Sequence, residues 1–294
     1  AINIKEKQEK IFVVKIISDS TCDLSKELIK QYKIEILPLH ILLGEDEYLD
    51  GVNITPDEIY AWSDANKTTP KTSAVGLEEA EELFRKYLDQ EMELVVFSIS
   101  EDMSTTANVM RLAAEDLNAS ERVHVVNSAN LSTGIGLLVI EAAVMAESGA
   151  DAQTIVSHIE ERKSKVRSSF VVDTLVYLYR GGRCGGLTAL AGGALKLHPR
   201  IDVIDGKMIP GKKYRGKIDR VVMSYVQEME EELKHAAKSR VFVKHSGCDR
   251  AIVEQVKEYL KSLNHFDEIL ETRAGGVISS HCGPGTLGVL YMEE

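Results

Sequence analysis

Long apolar runs are absent from this sequence of 294 residues. No stretch reaches the ~18 uncharged apolar residues that cross a bilayer as a helix, so the sequence predicts no integral membrane segment. The first residues also lack the apolar core of a secretory signal peptide. We therefore expect a cytoplasmic protein.

Basic residues are fewer than acidic ones. Lys and Arg total 35 against 46 Asp and Glu, which gives a formal net charge of -11 at pH 7. Nucleic acid and anionic membranes both require basic surface, so neither is an expected partner. An anionic ligand must instead be held by local hydrogen-bond donors.

Cysteine is scarce, and its four positions are far apart: Cys22, Cys184, Cys248 and Cys282. The absence of any Cys-x-x-Cys pair argues against a zinc ribbon or a redox motif and is typical of reduced cytoplasmic thiols. A metal site would require the fold to bring Cys184, Cys248 and Cys282 to His281, and unpaired spacing does not favour this. We expect no metal and no cofactor.

Three familiar site motifs are also missing. The chain has no P-loop and no Gly-x-Ser-x-Gly nucleophile elbow. Gly283, Gly285 and Gly288 have the spacing of a dinucleotide-binding fingerprint, but that fingerprint requires a following helix and an acidic residue about 20 positions on. The sequence given stops at Glu294, which leaves room for neither.

The sequence does contain a repeated order of apolar strand, polar loop and helix. Apolar runs at 12–17 and 93–99 each open into a loop rich in hydroxyl groups, and a strand at 123–126 precedes a helix at 132–148. This order predicts a parallel α/β sheet, whose strands present their carboxyl ends to ligands.

Further elements follow from local signals. Thr55, Pro56 and Glu58 predict a capped helix that runs to Asn66. Residues 34–43 read as one strand and residues 67–76 as a loop. Val277 and Ile278 read as strand, which would place His281 in the glycine turn that follows.

The second part of the chain has a different pattern. An Asp205-Gly206 turn predicts a β-hairpin over 201–209, and amphipathic helices are predicted at 217–237 and 249–263. The fold class is therefore α/β: an N-terminal parallel-sheet α/β/α domain at 1–165 and a C-terminal α+β domain at 166–294.

With these loops placed, the chain resembles the DegV family of two-domain fatty-acid-binding proteins from Val13 to Tyr291. The resemblance depends on the order and spacing of motifs that are weak one by one: Ser18-Asp19-Ser20-Thr21-Cys22-Asp23-Leu24, Lys71-Thr72-Ser73, Val126-Asn127-Ser128 with Ser132 and Gly134, Tyr177 to Arg183, and His281-Cys282-Gly283-Pro284-Gly285.

The resemblance implies that one long-chain fatty acid lies between the domains and that a separate ATP-dependent fatty acid kinase subunit converts its carboxylate to an acyl phosphate. The protein itself is then a carrier and not an enzyme. The ligand-binding residues that it implies are Thr72, Ser73, Ser104, Arg183 and His281.

Two departures lie beside this predicted head-group site. The chain has Ser104-Thr105-Thr106 where the family usually has Ser-Gly-Thr, and Ala74-Val75 where it usually has Gln-Pro. The exact hydrogen bonds to the carboxylate are therefore expected to differ from the family pattern.

A basic cluster at Lys212, Lys213, Arg215 and Lys217 stands out in so acidic a chain. The resemblance implies that an arginine in this region, here Arg215, docks the kinase subunit. Alternatively, these four residues form only the solvent-exposed face of a hairpin, with no partner.

Other functions compete with the carrier hypothesis. A serine hydrolase could use Ser73 or Ser104 with His281 as base and Asp19 or Asp173 as acid. A phosphate ligand, such as a nucleotide or phosphosugar, could bind the hydroxyl-rich loops of the first domain.

Overall fold

The computed structural model describes residues 13–183 and 197–294. The elements of the first part are β1 (Val14–Asp19), α1 (Lys26–Gln31), β2 (Glu35–Leu37), β3 (His40–Leu43), β4 (Asp46–Leu49), α2 (Pro56–Asn66), β5 (Lys71–Ser73), α3 (Leu77–Leu88), β6 (Glu93–Ser98), α4 (Thr106–Asp116), β7 (Val123–Asn127), α5 (Thr133–Glu147) and α6 (Ala152–Arg162). Short 3-10 helices occupy Ser20–Cys22 and Lys163–Lys165.

The elements of the second part are β8 (Val166–Val171), α7 (Val176–Arg180), β9 (Leu197–Ile204), β10 (Lys207–Arg215), α8 (Ile218–Glu228), α9 (Glu230–Lys234), β11 (Ala236–His245), α10 (Arg250–Ser262), β12 (Glu268–Arg273), α11 (Gly276–Cys282) and β13 (Leu287–Glu293).

A four-stranded parallel sheet organises the first part of the chain, in the order β2-β1-β6-β7. Its strands are buried on both faces, which is why they read as continuous apolar runs such as Leu94 to Phe97. Helices α3 and α4 cover one face, and α5 and α6 cover the other. This confirms the predicted parallel α/β architecture.

A small antiparallel sheet, β4-β3-β5, corrects two predictions. The strand predicted at 34–43 is divided at Pro38, which lacks an amide donor, and its halves β2 and β3 belong to different sheets. Residues 71–73, predicted as loop, form β5 and pair with β3, so that Thr72 lies opposite Ile41. A partner about thirty positions away determines this strand, and local sequence does not show it.

A six-stranded mixed sheet organises the second part, in the order β10-β9-β8-β13-β11-β12. Only β11 and β12 are parallel among its described pairs. Helices α8 and α10 pack on its outer face, while its inner face packs against α5. The predicted hairpin is β9–β10, and the predicted α+β character is confirmed.

Helix α5 lies between the two large sheets. Every residue from Thr133 to Ile140 is buried, including Leu137, Leu138 and Val139. A helix that is apolar on all sides must be enclosed on all sides. The two parts of the chain therefore share one hydrophobic core along this helix.

Helix α11 corrects the strand predicted at Val277 and Ile278. It packs against α2, α7, β3 and β5, so a segment from the second part of the sequence enters the first part of the fold. His281 lies in its last turn, and the helix ends at Gly283, whose φ is 74°. β-branched residues favour strands locally, and here distant packing overrides that preference.

Within the described ranges, no helix is both long and apolar enough to cross a membrane. The same ranges contain no group of three or more His, Cys, Asp or Glu residues with the geometry to hold a metal ion. Cys184 lies outside the described residues.

The capping box of α2 yields a stability prediction. The Thr55 hydroxyl accepts from the Glu58 amide at 3.3 Å, and the Glu58 carboxylate accepts from the Thr55 amide at 2.8 Å. We expect Thr55→Ala to lower the free energy of unfolding by about 1 kcal/mol. Thr55→Ser keeps the capping oxygen and should retain most of that stability in urea denaturation; equal losses in the two variants would contradict the capping role.

Candidate functional site

One pocket collects all five residues predicted from the sequence. Its polar lining consists of Thr72, Ser73, Ser104, Arg183 and His281, and its apolar lining consists of Leu39, Ile99, Met103, Leu131, Leu178, Met208, Val277, Ile278 and Cys282. These residues come from both parts of the chain. Five polar and nine apolar residues thus line the pocket, and the ligand-binding role of the five polar residues stays a prediction.

The five polar residues, together called the polar end of the pocket, include a hydrogen-bonded pair, Thr72 and His281. Thr72 Oγ1 on β5 lies 2.7 Å from His281 Nε2 on α11. The other ring nitrogen, Nδ1, is buried and has no hydrogen-bond partner. Gly181 faces this nitrogen so closely that a Cβ at that position would collide with it.

Burial controls the charge of this histidine. Burial is the larger cause and the positive charge of Arg183 the smaller one, and together they lower the pKa of His281 to about 4. The imidazole is therefore neutral at pH 7. Its charge is not available to an anionic ligand, but its single proton is available for a hydrogen bond.

The hydrogen-bond network assigns that proton to Nε2. A proton on Nδ1 would leave a buried N–H without a partner, whereas a proton on Nε2 leaves only an unpaired acceptor, and orphaned buried N–H groups are the rarer of the two. The Nε2 N–H then donates to Thr72 Oγ1. Consequently the hydroxyl hydrogen of Thr72 is free to donate into the pocket.

The two serines differ in their surroundings. Ser104 follows β6, and its Oγ accepts from the Thr106 amide at 3.3 Å and lies 2.9 Å from the Thr106 hydroxyl. It therefore binds the first amide of α4 while it lines the pocket. Ser73 is exposed and follows Thr72 on β5.

Arg183 connects the two sides of the pocket mouth. Its Nη1 donates to the Gly181 carbonyl at 2.8 Å, and its Nε donates to the Met103 carbonyl at 3.5 Å. The side chain is exposed. Arg183 thus orients the loop of Met103 and contributes a nearby positive charge.

The apolar lining was not predictable residue by residue. Ile99 directly follows β6, so its position at the carboxyl end of a strand is a signal that the sequence carries. Met103, Leu178 and Met208 carry no such signal, because distant segments bring them together. An open surface cleft of about 320 Å³ adjoins the pocket and shares Met103, Arg183 and Met208 with it. We call this cleft the mouth of the pocket.

Size alone does not identify this site. The free volume of the pocket is about 40 Å³, whereas a cavity of about 600 Å³ lies beside β8 and β9. The basic side chains that line the larger cavity already have acidic partners: Lys163 with Glu160 at 2.6 Å, Arg167 with Glu293 at 2.5 Å, and Arg200 with Asp202 at 2.7 Å. We therefore assign the candidate site to the smaller pocket, where donors remain available.

The described residues do not form the Ser-His-acid arrangement of a hydrolase. His281 bonds a threonine, and no acid contacts its Nδ1. Asp19 accepts from Thr21 and from the Ile99 amide, while Asp173 lies 3.5 Å from His198. Both candidate acids thus bind other groups, and neither contacts His281.

The basic cluster on the hairpin is exposed. Lys212, Lys213, Arg215 and Lys217 are all exposed on or just after β10. Lys212 forms an ion pair with Glu228 at 2.6 Å. The docking role of Arg215 stays a prediction.

Comparisons with known proteins agree with the fold. A family model described as "Uncharacterised protein, DegV family" matches residues 13–294. A DegV domain-containing protein of Clostridium perfringens is 32% identical over 281 residues, with 96% of this chain and 99% of the relative covered.

Two solved structures are similar over nearly their whole length. The fatty-acid-binding DegV family protein from Thermus thermophilus has a TM-score of 0.87 and 27% identity, with 96% of this chain and all of that chain covered. A stearic-acid-binding protein from Eubacterium ventriosum has a TM-score of 0.82 and 29% identity, with 95% and 98% covered.

The charge state of His281 yields a second prediction. In an NMR titration we expect its ring to titrate near pH 4, far below the ordinary value of 6.5. Arg183→Ala should raise this pKa modestly, because burial and not Arg183 is the larger cause. Arg180→Ala serves as the matched control and should leave it unchanged; a midpoint near 6.5 in the unmodified protein would contradict the assignment of a buried, neutral ring.

Proposed function

Because the chain belongs to the DegV family, we propose that it binds one long-chain fatty acid in the pocket described above. The two domains predicted at 1–165 and 166–294 enclose the ligand. The observation that carries this proposal is the pairing of Thr72 with a neutral His281, which leaves a free hydroxyl donor at the polar end of an otherwise apolar pocket.

The head group is held by neutral donors. An ionised carboxylate removed from water is costly unless it is hydrogen-bonded. Thr72, Ser73 and Ser104 supply hydroxyl groups for it, and His281 supplies the bond that orients Thr72. Arg183 stabilises the negative charge from the mouth, where its Nη1 and Nε already donate to backbone carbonyls.

The acyl chain supplies most of the affinity. Burial of some 16 carbons at ~0.8 kcal/mol per CH₂ gives a gross gain on the order of 10 kcal/mol, before ordering costs. The pocket, with about 40 Å³ of free volume, must widen to admit such a chain. Met103 and Met208 are suited to this movement, since methionine adapts its shape through three rotatable bonds.

The bound fatty acid is presented to a separate ATP-dependent kinase subunit, which forms an acyl phosphate. Neutral hydroxyl donors suit such a transfer, because a bidentate arginine would hold the oxygen that must attack ATP. Arg215, exposed at the end of β10, is the proposed contact for this partner. In this function the chain is a cytoplasmic carrier without a cofactor of its own.

Native mass spectrometry tests the proposal directly. We expect freshly purified protein to carry one fatty acid per chain, released and identified by organic extraction. A sample stripped of lipid should rebind added fatty acid. Repeated recovery of folded, lipid-free protein with no affinity for added fatty acids of 14 to about 20 carbons would refute the proposal.

The docking role of Arg215 has its own test. We expect Arg215→Ala to retain its fatty acid but to lower partner-dependent acyl-phosphate formation, because the change removes a charge from the proposed contact surface. Arg85→Ala on α3 is the matched control for loss of one exposed arginine. Unchanged acyl-phosphate formation at unchanged lipid occupancy would exclude Arg215 from the contact.

A further inference from the structure

The motif Ser18 to Asp23 is among the clearest in the sequence, yet none of its residues lines the pocket. Asp19 and Asp23 are buried, and so is Asp50 from the loop after β4. Three buried carboxylates beside a ligand pocket require an explanation, because each must give up its hydration.

Two of these carboxylates hold the start of α11. Asp23 Oδ1 accepts from the Gly275 amide at 2.8 Å, and Asp50 Oδ1 accepts from the Gly276 amide at 2.7 Å. Both acids belong to the first part of the chain, and both amides belong to the second. A Cβ on Gly276 would come within 3.0 Å of Asp50 Oδ1 and 2.5 Å of Ile41 Cδ1, so glycine permits this close approach.

Serine hydroxyls fix the carboxylates in turn. Ser132 donates to Asp23 at 2.5 Å, and Ser20 donates to Asp50 at 2.8 Å. The Ser20 oxygen also accepts from the amide of Leu39, a residue of the pocket lining, at 3.1 Å. A continuous set of hydrogen bonds thus runs from the motif to the pocket wall and to α11.

We propose that Asp23 and Asp50 are positioning residues for head-group recognition: they fix α11 so that His281, at its other end, meets Thr72. They do not touch the ligand. The ligand in this inference is the fatty acid of the proposed function, on which it rests.

Because α11 is short, the position of its first turn determines the position of His281 near its end. His281 lies about 7.5 Å along the helix from Gly276, so a tilt of about 10° at the first turn would move it by roughly 1 Å. A shift of that size breaks the 2.7 Å bond to Thr72 and turns the hydroxyl away from the pocket.

A contribution to folding stability does not explain why these three carboxylates are buried. Burial raises the pKa of Asp19 to about 6 and of Asp23 to about 7, and it raises the pKa of Asp50; for Asp23 the ammonium of Lys244 acts in the opposite direction. A carboxyl whose pKa is higher in the folded state than in the unfolded state favours unfolding as pH rises between the two values. At neutral pH these groups therefore cost stability, which is consistent with a positioning role.

The experiment compares a fatty acid with the alcohol of the same chain length. The alcohol shares the acyl contacts but lacks the carboxylate, so the ratio of the two dissociation constants reports head-group recognition alone. We expect Asp50→Ala to reduce the preference for the acid about tenfold, with little change for the alcohol. Thr72→Val removes the hydroxyl donor itself and provides the reference for loss of the Thr72 contribution.

Two further variants separate positioning from folding. Asp50→Asn keeps an oxygen that accepts from Gly276 and should retain the preference, whereas Asp50→Glu displaces the acceptor and should lower it. Asp151→Ala removes the cap of α6, far from the pocket in sequence, and controls for loss of a helix cap. A preserved preference in both Asp50→Ala and Asp50→Glu would overturn the proposal; if Asp50→Ala does not fold, Asp50→Glu alone decides.

An independent measurement needs no fatty acid. In unliganded protein, ¹⁵N NMR of the His281 ring should show a protonated Nε2 with a hydrogen bond, and Asp50→Ala should shift this signal. An unchanged signal would overturn the positioning role. If the unmodified protein binds neither acid nor alcohol, the proposed function fails, and this measurement still decides whether Asp50 positions His281.

Discussion

The packing of α11 across the two parts of the chain is the interaction on which the pocket depends. Its Val277 enters the core of the first part beside Ile41 and Ile59, while Ile278 joins the core that surrounds α5. A single seven-residue helix thus belongs to two hydrophobic clusters. A relative movement of the two parts would therefore change the packing of this helix, and with it the position of His281 in the pocket.

Most of the polar groups that line the pocket are neutral. The proposed ligand is an anion, the chain has a net charge of -11, and the histidine that lines the pocket carries no charge at neutral pH. Under the proposed function, the attraction for the head group is consequently modest and local, and the acyl chain would provide the greater part of the binding free energy. Such a division would suit the proposed carrier, which must retain its ligand and also present the reacting oxygen to a partner.

Sequence reasoning succeeded where the determinants are local. The capping box at Thr55 and the Asp205-Gly206 turn are set by neighbours within a few positions, and both elements form as predicted. The approach of Ser104 to residues of other loops follows from a general property of parallel sheets, whose strands end at one edge. Fold class and the grouping of the five residues were accessible for these reasons.

Sequence reasoning failed where contact with a distant segment determines the local structure. Thr72 lies in a strand because β3 pairs with it, and Val277 lies in a helix because Asp23 and Asp50, more than two hundred positions away, bind the amides that start that helix. The neutral state of His281 likewise depends on burial by remote segments. None of these long-range contacts can be recognised from the local sequence around Thr72, Val277 or His281.

The enclosure of α5 has a consequence for how the chain folds. This helix is buried from Thr133 to Ile140 between sheets from both parts. Each part has a further hydrophobic cluster of its own, but neither part alone can cover this helix, and separation of the two would expose an apolar surface to water. Packing around α5 therefore couples the stability of the two parts, and the first part should be less stable when it is isolated than when it is joined to the second.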